Sequence, residues 1–356
     1  MGSAEEKLLD EAISHQVYLE RYKSGEAKKI AELLDKTVEN LTEELSKRAG
    51  IDNWTTRRKK KLLDRVEKLN KQFWDEAKGV LREDIRDFGG REANWQAEEI
   101  QSAIPIEWDI VTPSPQQLYS AAIAELFGGK LLNEHFKHLE QVTRDQLQGV
   151  IRQGVTEGKP TPQITRELFG SETVRGAFDG KRKNINSFVR TAVGHMHYVA
   201  RRKLYEENSD LIKGEVWVST LDTRTSPICQ IMDGEKRKTG ESAWSNGKYG
   251  NPGQIHHQCR STSIPWLKSW RELGIDIDEA PDGTRASLDG QVPDKTTFSE
   301  WLKKQRSTEV GKKRIRDIMG DKRAELYLSG KLTLGELISP KGTYYTLEQL
   351  AQKSAA

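Results

Sequence analysis

Cysteine is nearly absent: Cys229 and Cys259 are the only two in 356 residues. That excludes a disulfide framework, and in a reducing compartment such a pair is more often metal-binding or inert than bridged. Long apolar runs are missing as well. The nearest, at 121–132, is interrupted by Glu125, Gly128, Gly129 and Lys130, far short of the roughly 18 residues a membrane span needs. Neither sign of charge dominates, since 57 Lys and Arg stand against 54 Asp and Glu for a net charge of +3. The whole chain therefore has no field to draw it to DNA or to an anionic membrane, and any nucleic-acid contact must be local. There is no phosphate loop, nucleophile elbow or dinucleotide fingerprint. The first residues, Met1-Gly2-Ser3-Ala4-Glu5-Glu6, are acidic where a secretory leader needs a basic start, so synthesis in a cytosol is the expectation.

What is present is a polar but foldable chain: 35% hydrophobic and 31% charged residues, with 9 Trp. The length corresponds to two or three domains at about 150 residues each. Residues 4–47 place Leu9, Ile13, Ala27, Ile30, Leu34, Val38, Leu41 and Leu45 mostly three or four apart, which predicts an amphipathic helix interrupted near Gly25. A second run carries Leu62, Val66, Leu69, Phe73, Ala77, Val80, Ile85 and Phe88 and is expected to stop at Gly89-Gly90. Together they predict a helical hairpin with one apolar stripe, to be covered within the chain or by another subunit's helices.

The stretch 104–115 holds three prolines and reads as an extended linker. Helical spacing returns over 116–153, 163–169 and 184–207. At Gly214 the character changes: 215–221 alternates and is rich in β-branched and aromatic residues, and 260–266 is a second strand candidate. Between them 239–254 is loop, 278–292 reads as irregular, and helical pattern closes the chain. The expected class is α+β, predominantly α. Its parts are a helical hairpin region over 1–104, a helical domain over 116–210, a β-containing module over 214–294 and a helical segment over 295–356.

The most specific chemistry is Cys229 with His256-x-x-Cys259. Two-residue spacing is that of a metal-binding knuckle, and the intervening Gly-rich loop can fold back to bring Cys229 to it. A structural zinc (Zn2+) site wants four ligands. Asp222 or His257 is available as the fourth, with Asp222 preferred because adjacent histidines seldom both reach one ion. The bland alternative is two buried thiols and two surface histidines. No H-E-x-x-H helix supplies the general base of a catalytic zinc. Asp222 beside Arg224 and Thr225, and Asp233-Gly234, read as turn-stabilising groups. The basic run Arg57, Arg58, Lys59, Lys60 and Lys61, partly neutralised by Asp64 and Glu67, is either a solvated helix face or a contact for DNA phosphates.

The order of these features resembles a known family. Arg190-Thr191 in a helix comes first, followed by Trp217-Val218-Ser219-Thr220-Leu221-Asp222-Thr223-Arg224-Thr225, Cys229 and Met232-Asp233-Gly234. A Gly/Pro loop then leads to His256-His257-Gln258-Cys259-Arg260-Ser261-Thr262 and on to Gly283-Thr284-Arg285-Ala286-Ser287. This succession resembles the phage Mu F-like head morphogenesis family, over roughly 184–350. Two positions depart from it: Asn251-Pro252-Gly253 where many relatives carry a Pro-Pro pair, and Ser261 where some carry another Cys, which removes one possible ligand. The resemblance gives Arg190, Thr191, Arg224, Thr225, Asp233, Gly234, Arg260 and Arg285 as structural motif residues. It implies a minor head protein of a tailed phage, acting inside the head near the portal vertex and in the host cytoplasm during assembly. Its implied partners are the portal protein, with scaffold or major capsid protein and packaged DNA as further ones and no membrane; a part in DNA packaging or ejection is implied too. The competing expectation from the Cys/His cluster is a zinc-dependent nuclease or a toxin-like transferase delivered with the genome.

Overall fold

The amphipathic spacing at the start of the chain folds as two long helices, α1 (Ala4–Ser46) and α2 (Thr56–Ala103). The computed structural model describes residues 4–47, 55–171, 173–256, 259–278 and 283–355. It is predominantly helical with a small β part, as the pattern predicts. The described chain divides into two compact units. One comprises Leu19–Arg91 and Ser114–Val199; the other comprises Met1–Tyr18, Glu92–Pro113 and Ala200–Ala356. Three of the cuts fall inside the long helices, after Tyr18, Arg91 and Val199, and the fourth falls in the Pro-containing stretch, between Pro113 and Ser114.

The all-helical unit is built on the hairpin. Tyr22 Oη donates to the Asp84 carbonyl at 3.2 Å, Lys29 pairs with Asp84 at 3.1 Å and Arg65 with Glu44 at 3.6 Å, so the two helices run antiparallel. The stripe of Ile30, Leu34, Leu41 and Leu45 against Leu62, Val66, Phe73, Ala77 and Ile85 is buried. The same unit holds α4 (Leu132–Thr156), α5 (Thr161–Phe169) and most of α6 (Asp179–Glu207). Trp74 Nε1 donates to Thr143 Oγ1 at 2.8 Å and Asn70 Nδ2 to the Glu140 carbonyl at 3.2 Å, which fixes α4 along α2. Arg190 of α6 binds Ser24 Oγ at 2.8 Å and pairs with Glu20 on α1. Between α3 (Pro115–Ala124) and α4 the chain turns at Gly128 and Gly129, both at positive φ. His135 and His195 both stack on Phe127 (ring centroids 4.4 and 4.7 Å). Both are packing histidines, and burial lowers the His135 pKa.

Two glycine expectations are corrected. Gly25 does not interrupt α1, and Gly89-Gly90 does not end α2, which runs on to Ala103. A Cβ at Gly89 would sit 1.8 Å from Met196 Cε and one at Gly90 2.6 Å from Pro115 Cγ. The pair is there for close approach, not for termination. Gly25 meets nothing within 4 Å. Gly25→Ala should therefore stabilise by up to about 1 kcal/mol, whereas Gly89→Ala should cost about 1–3 kcal/mol as Met196 is displaced. Urea denaturation of both variants checks this; shifts of the same sign would refute the packing role of Gly89.

The second unit holds the sheet. Strand β1 (Ile212–Val218) lies between β2 (Lys236–Lys238) and β3 (Thr262–Leu267), antiparallel to both. Gly214 lets β2 close on it, since a Cβ there would fall 2.0 Å from the Arg237 carbonyl oxygen. One face packs Val218 and Ile264 on Leu9 and Ala12 of α1. Leu8, Ile100, Leu204, Leu211, Ile212 and Trp270 form a neighbouring cluster. The stretch read as a linker is fastened: Asn208 exchanges hydrogen bonds with the Val111 backbone, both at 2.8 Å, and Trp108 Nε1 donates to Asp210 at 3.0 Å. Buried Glu92 lies 2.6 Å from His15 Nε2 and 3.0 Å from Arg201 Nε; Arg201 continues to Thr262 Oγ1 at 2.6 Å.

The region read as irregular forms a hairpin, β4 (Thr284–Ser287) with β5 (Gly290–Pro293). After it come α8 (Phe298–Lys304), a 3-10 turn (Gln305–Ser307), α9 (Glu309–Met319), α10 (Asp321–Leu328), α11 (Leu334–Leu337) and α12 (Leu347–Ala355). Gly320, at φ 79°, separates α9 from α10. Phe298, Trp301, Leu302, Ile315, Met319, Leu334 and Leu337 pack with Leu221, which follows β1, so the closing helices share a core with the β module.

Candidate metal centre

Cys229 sits on α7 (Pro227–Met232), a short helix that the sequence pattern does not reveal, started by Pro227 at its first turn. Cys259 lies just before β3, and His256 closes the loop that leaves β2. These elements converge under an apolar cover. Trp217, Met232 and Trp244 pack with the two thiols, and the Trp217 and Trp244 rings meet edge to face at 5.1 Å. Trp244 comes from the loop itself and is pinned by its Nε1 bond to the Gly250 carbonyl at 2.8 Å and by Arg237, 4.2 Å over its ring. A stretch of Gly, Ser and Asn is thus pinned by one buried indole, with Arg237 bonding the Ser242 carbonyl and Asn251 and with Ser245 accepting from the Lys236 amide.

The three donors predicted from spacing are together. Cys229 Sγ is 3.7 Å from Cys259 Sγ and 3.2 Å from His256 Nε2, and all three ligand atoms lie within 4.8 Å of one another. Tetrahedral zinc with Zn–S near 2.3 Å and Zn–N near 2.0 Å requires edges of about 3.8 Å between sulfurs and about 3.5 Å between sulfur and nitrogen. The donor set and spacing fit such an ion. The hydrogen bond to Cys259, reinforced by burial, pushes the Cys229 thiol up. The same bond, with His256 beside it, holds Cys259 low against its burial. One sulfur is thereby prepared to ionise, the state a metal requires.

Asp222 is not in this group, which corrects its expected place as fourth ligand. Its carboxylate is held by Arg260, Nη1 to Oδ2 at 2.8 Å and Nη2 to Oδ1 at 2.9 Å. Oδ1 also accepts from the Arg224 amide at 2.9 Å and from Thr225 Oγ1 at 3.1 Å. Burial would raise this carboxyl, but Arg260 and these bonds hold it below the usual carboxylate range. A guanidinium one residue after Cys259 competes better for the carboxylate than a site already holding two sulfurs. The other suggested fourth ligand, His257, lies outside the described residues. The hydroxyls nearest the centre were not anticipated: Ser226 Oγ is 2.7 Å from His256 Nε2, and both Ser226 and Ser261 bond the Cys229 sulfur. A Ser-Pro helix start three residues before Cys229 is the signal that points to Ser226.

Ser219 ties the surroundings together. Its Oγ donates to the Cys229 carbonyl at 2.8 Å, accepts from Trp217 Nε1 at 3.0 Å and lies 3.1 Å from Ser261 Oγ. Asp233 and Arg285 form a buried pair at 3.1 Å. Gly234, at φ 84°, turns the chain so that its amide reaches the Trp217 carbonyl at 2.9 Å. Arg190 and Thr191 belong to the helical unit, where Thr191 Oγ1 bonds the Ser187 carbonyl at 2.7 Å. Among the described residues no carboxylate joins the Cys229, His256 and Cys259 group. The arrangement is suited to holding three segments at one ion.

The run Arg57, Arg58, Lys59, Lys60 and Lys61 opens α2. Five consecutive helical positions fan around the whole axis at about 100° each, so they present no single basic face. No helix among the described residues is long and apolar enough to cross a membrane. Comparison with family models, curated proteins and solved structures finds no match for this chain.

Proposed function

We propose that this chain is a minor head protein of a tailed phage, acting in head morphogenesis at the portal vertex, with its β module clipped by zinc. The observation that carries the reading is what the residues of the Mu F-like succession do. Asp222 and Arg260 pair with each other, as do Asp233 and Arg285, while Cys229, His256 and Cys259 meet at one point. Each of these groups is engaged with another part of the module, the two carboxylates with arginines and the two sulfurs with each other and with His256. Such a module suits a rigid docking head better than a nuclease or transferase site. In this reading zinc takes Cys229, His256 and Cys259, and supplies a cross-link between α7, the loop and the start of β3. The portal protein is the proposed partner, with scaffold or major capsid protein and packaged DNA as further contacts.

The test is quantitative mass spectrometry of purified, nuclease-treated particles from the phage encoding this chain. A few copies per portal are expected. Absence from both procapsids and mature particles, with plasmid nicking by the purified chain, would replace the reading with the enzymatic one.

A further inference from the structure

The two sulfurs of the metal centre are enclosed, and its other side is more open. Cys229 and Cys259 are 2% and 1% exposed, whereas His256 and Ser226 are half-buried. Ser226 stands where a helix-capping residue belongs: it directly precedes α7, and its carbonyl accepts from the Gln230 amide at 3.0 Å. Serine and threonine in that place ordinarily turn the side-chain oxygen to an amide of the first helical turn. Ser114, Thr297, Thr308 and Thr333 all do so in this chain. Ser226 makes no such bond. Its hydroxyl is turned instead to two of the metal donors, 2.7 Å from His256 Nε2 and bonded to the Cys229 sulfur.

From this diverted side chain we infer that the Ser226 hydroxyl is the fourth donor to the metal, beside Cys229, His256 and Cys259. An ion entering between Ser226 Oγ and His256 Nε2 replaces the hydrogen bond that joins them. The hydroxyl keeps its proton and rotates it outward, so that both atoms present a lone pair to the ion. Tetrahedral zinc asks for about 3.3 Å between nitrogen and oxygen, an opening of about 0.6 Å from the present 2.7 Å that a small side-chain rotation supplies. Charge favours the same choice. Two thiolates neutralise a divalent ion, and a neutral hydroxyl completes the shell without adding a net charge beneath Trp217, Met232 and Trp244. Ser261, the other hydroxyl that bonds the Cys229 sulfur, is buried and lies 3.1 Å from Ser219 Oγ, so it braces the sulfur as part of the packed network. The assignment rests on the zinc reading of the cluster and is independent of the partner reading.

The experiment titrates Co2+ into the reduced, full-length chain and reads its absorption spectrum, in which each bound thiolate adds sulfur-to-metal charge-transfer intensity; competition with Zn2+ gives the affinity. Ser226→Cys should raise the charge-transfer intensity from that of two thiolates to that of three, a gain that a misfolded variant would not show. Ser226→Ala should weaken metal binding by about tenfold or more and shift the visible bands, with circular dichroism establishing that it is folded. His257→Ala should leave affinity and spectrum unchanged. Ser226→Cys with the wild-type intensity, Ser226→Ala with the wild-type affinity, or His257→Ala with the loss expected of Ser226→Ala would each overturn the assignment and leave the metal centre in place. A wild type that binds neither Co2+ nor Zn2+ would overturn the centre and the assignment with it. Because binding is read on the purified chain, every one of these outcomes leaves the particle count untouched.

Discussion

Cys259→Ser and Cys229→Ser should each reduce bound zinc from one ion per chain to less than about a tenth and lower the melting temperature by roughly 10 °C. The cluster brings a short helix, the end of a long loop and the start of a strand to one point, with the sulfurs 3.7 Å apart. Without the ion, the loop keeps Trp244, the Arg237 contacts and the bonds of Ser245 and Asn246 to Lys236, Glu235 and Ile231, but loses the tie between its far end and α7. A metal that binds only the folded state adds about 3–4 kcal/mol once free metal exceeds its dissociation constant by a few hundredfold. In a unit of this size each kcal/mol is worth about 2–4 °C. Zinc is counted by inductively coupled plasma mass spectrometry and the melting temperature by calorimetry. Asp222→Asn is the informative companion: because Asp222 is engaged with Arg260, it should lose some stability yet keep its zinc. Zinc loss in Asp222→Asn would return Asp222 to the ligand set. A wild type free of zinc, melting with Cys259→Ser, would reduce the thiols to packing groups.

The meeting of Cys229, His256 and Cys259 was legible because the His256-x-x-Cys259 spacing is written locally and Cys229 stands across a loop able to fold back. The fourth position was not, since spacing cannot distinguish a carboxylate that binds metal from one that binds the arginine beside the next ligand. Helices α1 and α2 were legible through their long apolar period, but Gly89-Gly90 was misread: a glycine pair looks the same whether it ends a helix or admits Met196 and Pro115. Helix α7, with 6 residues, and strands β4 and β5, with 4 each, are too short to show any period.

Asp233→Asn should destabilise the β-containing unit by about 3–5 kcal/mol, the cost of leaving a buried charge without its partner. The Asp233 carboxylate is fully enclosed. Oδ1 accepts from the Ser219 amide at 2.7 Å and from Arg285 Nη2 at 3.3 Å, while Oδ2 accepts from the Phe298 amide at 2.7 Å and from Arg285 Nη1 at 3.1 Å. Arg285 carries the linkage on to the Ser219 and Thr296 carbonyls at 2.7 and 3.0 Å. One acid thus joins the end of β1, the end of α7, β4 and the first residue of α8. An asparagine there must turn a donor toward another donor, whichever way its amide is placed. Arg285→Leu should cost a similar amount, and the double variant clearly less than the sum, with a coupling of about 1–3 kcal/mol in the cycle. Urea denaturation measures all three; additive losses, or a loss under about 1 kcal/mol for Asp233→Asn, would refute the hub. Limited proteolysis should show the segment after Pro293 cut first in Asp233→Asn, because the Asp233 carboxylate holds the amide of Phe298 at the start of α8. If the module serves as a docking head, the same variant should fail to enter particles while retaining its zinc, since the Asp233 carboxylate bonds Ser219, Phe298 and Arg285 and none of the three donor side chains.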